Sequence, residues 1–262
     1  MSEKSTATHS TDEVDVRELG NTLLRIGSHL MSCGANTRRI RMTIERVSEA
    51  FNCSTELLIM HRALMLTISD EKDEQFHSSL KRTSPHGVNF RIVSGISKMS
   101  WKVVQQGWSV EQINAELNRL LSLSHYPRIV TLLMVGLADA SFCRLFGGDY
   151  KDMLVAFAAT FVGLFFRQEA TKRSFNPYLC IFLASLVSSL IAGAYVSFGN
   201  NVQEYALSAS ILYLIPGVPL INSFSDFIHG NIMNGIVRSV NGLIIAFAIA
   251  FGLLLAIQMW HL

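Results

Sequence analysis

Residues 205–230 read YALSASILYLIPGVPLINSFSDFIHG, an apolar run long enough to cross a bilayer with Pro216-Gly217-Val218-Pro219 in its middle. A proline inside a helix lacks the backbone donor and collides with the preceding turn, so two of them around a glycine predict a broken or unwound helix. Hydrocarbon cannot satisfy the backbone groups that a break frees. Such a break survives only against protein or a water-filled cavity. Interrupted spans of this kind form substrate sites in secondary transporters. Asn222 and Asp226 follow the break on or near one helical face.

The surrounding composition is divided. Residues 1–128 hold 16 of the 22 Lys and Arg and 14 of the 20 Asp and Glu, and residues 129–262 hold six of each. The first part has the make-up of a soluble domain and the second does not. A net charge of +2, mixed in sign along the chain, gives no footprint for nucleic acid. The N-terminus is polar and acidic without an apolar core, which argues against a cleaved signal peptide and for a disordered tail over residues 1–14. Cys33, Cys53, Cys143 and Cys180 have neither CxxC nor zinc spacing and read as free thiols.

Five apolar stretches follow: Ile129–Phe146, Met153–Phe166, Tyr178–Phe198, Tyr205–Phe227 and Val240–Trp260. The second is short for a span unless it reaches back to Tyr150 or on through Gln168. Arg128, the loop 167–177 with Arg167, Lys172 and Arg173, and Arg238 place these loops and the N-terminus in the cytoplasm. Small residues recur every fourth position: Ser185, Ser189, Gly193 and Ser197; Gly242, Ala246 and Ala250; Ala248, Gly252 and Ala256; Ala156 with Thr160, and Ala159 with Gly163. These rows let helices approach closely.

Asp139 lies about ten residues into the first stretch, which is near mid-bilayer. An acid there is costly, so it reads as a proton-coupling or substrate-orienting group, or as a structural acid hydrogen-bonded between helices. Asn222, Asp226 and His229 fit a polar stripe leading from the break, and Asp226 and His229 also fit solvated residues at a helix end. Asn231, Asn234 and Gly235 read as a polar re-entrant turn or as an ordinary interfacial loop. Arg238 reads as a snorkelling cation or as an attractor for a carboxylate.

The first part predicts a helix over Val14–Met31, with Val16, Leu19, Leu23, Ile26 and Leu30 on one face and Gly34 as its stop. Asn36-Thr37 caps a second helix carrying Ile40, Ile44, Val47 and Phe51, with Arg38, Arg39, Arg41 and Arg46 on its other faces. Residues 57–69 read as a strand from the alternation of Leu64, Leu66 and Ile68, followed by strands at Gln75–Arg82 and Val88–Val93. Helices are expected at 95–106 and 110–123, the second opened by a Ser109…Gln112 capping box. His61, His77 and His86 fall on or near this sheet without metal spacing. No nucleophile elbow, HExxH, Walker loop or GxGxxG occurs, so nothing points to an enzyme, a metal or a cofactor. The fold class is a membrane α-helical bundle of about five helices, residues 126–262, preceded by a cytosolic α+β domain, residues 15–125.

Three ordered segments carry a resemblance. LMSCGANTRRI (30–40), YPRIVTLLMVGLADASFCRLFGGDYKDM (126–153) and LIPGVPLINSFSDFIHGNIMNGIVR (214–238) resemble motifs of the threonine/serine exporter family, over roughly residues 17–260. Asp139, Pro216, Gly217, Pro219, Asn222, Asp226, Gly230, Gly235 and Arg238 match its pattern. The resemblance implies a bacterial inner-membrane exporter of small carboxylates, threonine and serine or a C4 dicarboxylate such as succinate. It implies the larger, YjjP-like subunit of a split transporter, whose partner is a small YjjB-like membrane protein, with a higher oligomer as a further option. The substrate or proton pathway is then expected at Asp139, Pro216, Gly217, Pro219, Asn222, Asp226 and Arg238. The alternative from another class is a membrane-anchored sensor whose cytosolic domain binds a metabolite.

Overall fold

The computed structural model describes residues 15–70, 75–83, 87–123, 126–198 and 204–261. The tail expected at 1–14, the acidic turn at 71–74 and His86 lie outside them. The described elements are mostly helical: α1 (Val16–Ser32), α2 (Thr37–Glu49), β1 (Cys53–Met60), β2 (Ala63–Asp70), β3 (Phe76–Arg82), α3 (Phe90–Gln106), α4 (Val110–Ser122), α5 (Arg128–Leu145), α6 (Tyr150–Lys172), α7 (Pro177–Phe198), α8 (Tyr205–Ala209), a 3-10 turn (Leu212–Leu214), α9 (Gly217–Ile228) and α10 (Ile232–Trp260). They fall into two compact units. The first is Met1–Ser124 with Val218–Ser239, and the second is His125–Gly217 with Val240–Leu262.

In the first unit, local capping chemistry sets the helix starts. Asn36 Oδ1 accepts from the Arg39 N–H at 2.8 Å, and Ser109 and Gln112 close a reciprocal capping box. Gly34 takes φ +88 directly after α1, a left-handed turn that glycine adopts without strain. The core joins Leu19, Leu23, Ile26 and Leu30 of α1, Ile40, Ile44 and Val47 of α2, Leu64, Leu66 and Ile68 of β2, and Val93, Ile96, Met99 and Val103 of α3. Each buried side chain of this size contributes about 1.5–3 kcal/mol. The alternation in β2 therefore does what its pattern required: its apolar set faces α1 and α2.

Two local expectations are corrected here. The stretch read as one strand over 57–69 is a hairpin: β1 pairs antiparallel with β2 from Cys53↔Asp70 to Met60↔Ala63, and the chain reverses at His61-Arg62, which carries no turn-marking Gly, Asn or Asp. Val88–Val93 is not a third strand. Asn89 caps α3 by accepting from the Ile92 N–H at 3.3 Å, and of the residues read as a β-run Val88 and Phe90 are exposed while Val93 begins the buried face of the helix. β3 pairs with β2, so the sheet order is β1-β2-β3. His77 lies opposite Ile68 and His61 lies in the hairpin turn, so the two stand at opposite ends of the sheet.

In the second unit, α6 packs against both α5 and α7. Asp149 and Asp152 form a capping box at its start, and the helix runs 23 residues, about 34 Å, so the short stretch Met153–Phe166 is the centre of a helix long enough to cross a bilayer. Small residues mark the contacts, as their spacing predicted. Ser188 Oγ donates to the Ala159 carbonyl at 3.1 Å, and Ser185 Oγ donates to the Ile249 carbonyl at 2.8 Å. A Cβ on Gly252 would come within 2.8 Å of the α7 backbone.

Among the described residues, α6, α7 and α10 are long and apolar enough to cross a membrane, and α8 to α9 count as a fourth if that bent pair is one span. α5 carries Arg128, Asp139 and Arg144 and is not among them. The polar turn expected at Asn231–Gly235 is corrected: α10 begins at Ile232, so Asn234, Gly235 and Arg238 stand on its first turns.

Two outcomes follow for the first unit. Leu64→Ala, at a fully buried site, should cost about 2–5 kcal/mol, read by urea unfolding of the detergent-solubilised chain. Burial, reinforced by Arg25 and Lys81, holds the His29 imidazole below its ordinary value of 6.5. The folded state then binds this proton less readily than the unfolded chain, so stability is full above pH 6.5 and declines below it. Thermal melts between pH 7.5 and 5 should show that decline flattened in His29→Gln.

Candidate functional site

The expected site residues divide between the two units. Pro216 and Gly217 mark the break itself. The 3-10 turn ends at Leu214, Ile215 is extended, and α9 starts at Gly217. The chain bends by 62° there. Pro216 has no N–H for the Leu212 carbonyl, and the Ile215 N–H takes that acceptor at 3.1 Å instead. Pro219 does not add a second break. It lies in the first turn of α9, where a missing donor costs nothing. A Cβ added to Gly217 would meet no atom within 4 Å, so the backbone at the break borders open space.

In the first unit, α9 and the start of α10 are gripped by the turn between α1 and α2. Asn222 Nδ2 donates to the Gly34 carbonyl at 2.8 Å. Asn36 Nδ2 donates to Ser225 Oγ at 3.3 Å. The Thr37 N–H donates to Asp226 Oδ1 at 3.3 Å, which adds the positive end of α2 to the surroundings of that carboxylate. Asp226 Oδ2 faces Arg238 Nη1 at 3.2 Å, with the two side chains 1% and 13% exposed. The contact is ionic and lacks hydrogen-bond alignment, and the buried Thr37 Oγ1 also makes no hydrogen bond. Arg238 Nη2 donates to the Ala35 carbonyl at 3.3 Å. Asn234 Nδ2 donates to the Ile59 carbonyl at 2.9 Å.

His229 is exposed and sits between Arg38, whose Nη1 reaches its Nε2 at 2.6 Å, and the Ser225 carbonyl, 2.6 Å from Nδ1. Asp226 is therefore a buried, paired acid, and His229 alone keeps the solvated position. Arg238 neither snorkels nor stands free, since its carboxylate partner is Asp226.

In the second unit, Asp139 is 3% exposed on α5. Thr160 Oγ1 of α6 donates to its Oδ2 at 2.7 Å, and the Tyr213 backbone amide hydrogen-bonds the same carboxylate. Next to it, Ser188 Oγ and Tyr213 Oη lie 3.0 Å apart. Gly163 makes this meeting possible, because a Cβ there would collide with Ser188 Oγ and come within 3.0 Å of the Ala184 carbonyl. No cation pairs with Asp139 among the described residues. Among the described residues no group of three or more His, Cys, Asp or Glu is placed to hold a metal.

The pattern of the family described as "Putative threonine/serine exporter" matches residues 21–260. The chain belongs to this family. It is 27% identical over 254 residues to "Probable succinate transporter subunit YjjP" of Klebsiella aerogenes, covering 96% of this chain and 97% of that one. It is 26% identical over 249 residues to the protein of the same name in Escherichia coli K12, covering 94% and 96%. A "Threonine/serine exporter" of Corynebacterium glutamicum is 24% identical over 264 residues, which span 95% of this chain and 53% of that one. No solved structure matches. These relatives are named as transporters and exporters, not enzymes.

In this member of the exporter family, two of the three motif segments, Gly34–Arg38 and Asn222–Arg238, meet through side chain and backbone in one compact unit. Sequence reasoning named Asn222, Asp226 and Arg238 but missed Ala35, Thr37, Thr160, Ser188 and Tyr213. Their neighbours stand 21–203 positions away in the chain, and only the GANT motif itself offered a signal.

Removing one partner of a buried pair strands the other. Asp226→Ala should therefore cost about 3–5 kcal/mol, while the paired change Asp226→Leu with Arg238→Met should recover most of it. Thermal unfolding of the purified variants reads both.

Proposed function

We propose that this chain is one subunit of an inner-membrane secondary exporter for small carboxylates, working with a small YjjB-like membrane protein. The substrate is a C4 dicarboxylate such as succinate, or threonine and serine. The printed names of the relatives support both classes, and the succinate class is supported by the two relatives aligned over nearly their whole length. The word "subunit" in those two names supports a partner.

In this reading α5, α6, α7, the bent α8–α9 segment and α10 are five spans of a domain over residues 126–262. The N-terminal α+β domain, residues 15–125, is cytoplasmic, in keeping with Arg128, Arg167, Lys172 and Arg173 near the span ends. The observation that carries the reading is the break at Ile215–Pro216 inside an apolar run. Broken backbone in a membrane needs a polar, solute-accepting surrounding. Pro216, Gly217 and Pro219 shape that opening. Asp139, held by two donors and lacking a cation, takes up and releases the proton that couples export to the gradient. Asn222, Asp226 and Arg238 take the cytoplasmic, entry end of the route, where their ion pair opens to admit a charged solute.

Export assays test this directly. Vesicles holding this chain and its partner should move labelled succinate, or threonine and serine, in response to an imposed proton gradient. Asp139→Asn should lower that flux at least about tenfold at unchanged protein level, a loss of 1.4 kcal/mol or more in the coupled step. Cells lacking the chain that still export all three solutes at the parental rate would contradict the reading. No flux in vesicles, together with ligand binding to the N-terminal domain, would favour the sensor.

A further inference from the structure

The sequence marks Arg167 only as one of the charges that orient the spans. The structure puts it elsewhere than in a loop. It stands on α6, five residues before the helix ends at Lys172. It is four positions beyond Gly163 and seven beyond Thr160, so the three share one face of the helix. That face is the one packed against α7 and the 3-10 turn, because a Cβ on Gly163 would meet Ser188, Ala184 and Tyr213 Oη. Arg167 continues that face toward α7, where Cys180 is 2% exposed. Arg167 itself is half-buried.

Its neighbours are committed and it is not. Arg128 donates to Gln168 and pairs with Glu169, and Arg173 pairs with the same Glu169. Arg144 donates to the Gly148 carbonyl. Asp139 is held at Thr160, about 10 Å back along the helix from Arg167. Among the described residues Arg167 has no hydrogen bond or ion pair from its side chain. A half-buried cation without an anion, beside an apolar bundle, is open to an anion supplied from outside the chain. A guanidinium presents a planar fork that matches a carboxylate with two parallel hydrogen bonds. The hydroxyls of Ser188 and Tyr213 stand on the same side with their protons committed to the Ala159 carbonyl and to Ser188 Oγ, so the guanidinium supplies the donors there.

We propose that Arg167 is the cation that receives the carboxylate of the exported solute, beside the Ser188–Tyr213 hydroxyl pair and next to the break. The assignment rests on the exporter reading and narrows it to a contact. The ligand chemistry is a carboxylate, of succinate or of threonine, against the other anion a membrane offers, a lipid phosphate. Tyr213 lies three residues before Pro216, so a solute held at Arg167 touches the segment that bends.

The test uses the full chain with its partner in phosphatidylcholine vesicles. Arginines are modified with phenylglyoxal, and the adduct at each is followed by mass spectrometry. Saturating succinate or threonine should slow modification of Arg167 at least about tenfold, as expected for a site more than nine-tenths occupied, and leave Arg173 unchanged. Butanediol, a C4 solute without charge, should do nothing. In transport, Arg167→Gln should raise KM about tenfold or more with a smaller change in maximal rate, and Arg167→Lys should recover part of it.

If Arg167→Gln does not fold, the labelling of the natural chain decides alone. Protection by phosphatidylglycerol but not by either solute assigns the site to lipid and overturns the proposal. Flux with Arg167 unprotected overturns it while leaving the exporter reading in place. Protection without flux keeps the carboxylate site and removes the exporter reading. Neither flux nor protection removes both.

Discussion

An apolar environment offers no partner to a backbone or side-chain polar group, and this constraint explains the arrangement around the break. Pro216 ends helical hydrogen bonding, and the chain responds by tightening the preceding residues into a 3-10 turn, which recovers the acceptor that proline cannot serve. Gly217 then starts a new helix in a new direction. The 3-10 turn before the bend holds Tyr213 Oη 3.0 Å from Ser188 Oγ.

The same constraint explains why buried charges are handled differently in the two units. Asp226 has Arg238 at ionic distance and the Thr37 amide at a helix start, so charge and hydrogen bonds are both supplied by the protein. The pair ties α9 and α10 to the turn Gly34–Thr37. Among the described residues Asp139 has hydrogen bonds but no cation, and the half-buried Arg167 side chain has neither. Paired charges hold a structure in place, and unpaired ones await a proton or a ligand. On this logic the first unit's cluster is closed by its own partners, and Asp139 and Arg167 are the groups proposed to meet a proton and a solute carboxylate.

Much of the local structure was legible in the chain. Asn36 and Ser109 announce helix starts by side chains that bond backbone three residues on, and the alternation of Leu64, Leu66 and Ile68 states which face of a strand is buried. The break was legible because proline acts through its own covalent geometry. What failed was context. Val88–Val93 has the composition of a strand and became a helix once Asn89 capped it against α2. Asn231 to Gly235 looked like a loop because its residues are polar, yet Asn234 and Arg238 find partners at Ile59, Ala35 and Asp226. The candidate residues were largely visible as charges in apolar surroundings. Their partners were not, because no periodicity links Arg238 to Asp226 or Asp139 to Thr160. Arg167 was hidden for the opposite reason: a basic residue near a span end has an ordinary use, and only its orientation sets it apart.

The central claim is that the break faces water within the membrane. Thiol accessibility tests it most directly, with a single cysteine placed as Gly217→Cys in a chain whose four native cysteines are replaced. The added Cβ has open space around it, so the side chain should be tolerated. In sealed vesicles a charged, membrane-impermeant methanethiosulfonate should label this position. Labelling by a lipid-soluble maleimide alone, with the charged reagent excluded, would place the break against acyl chains and contradict the account.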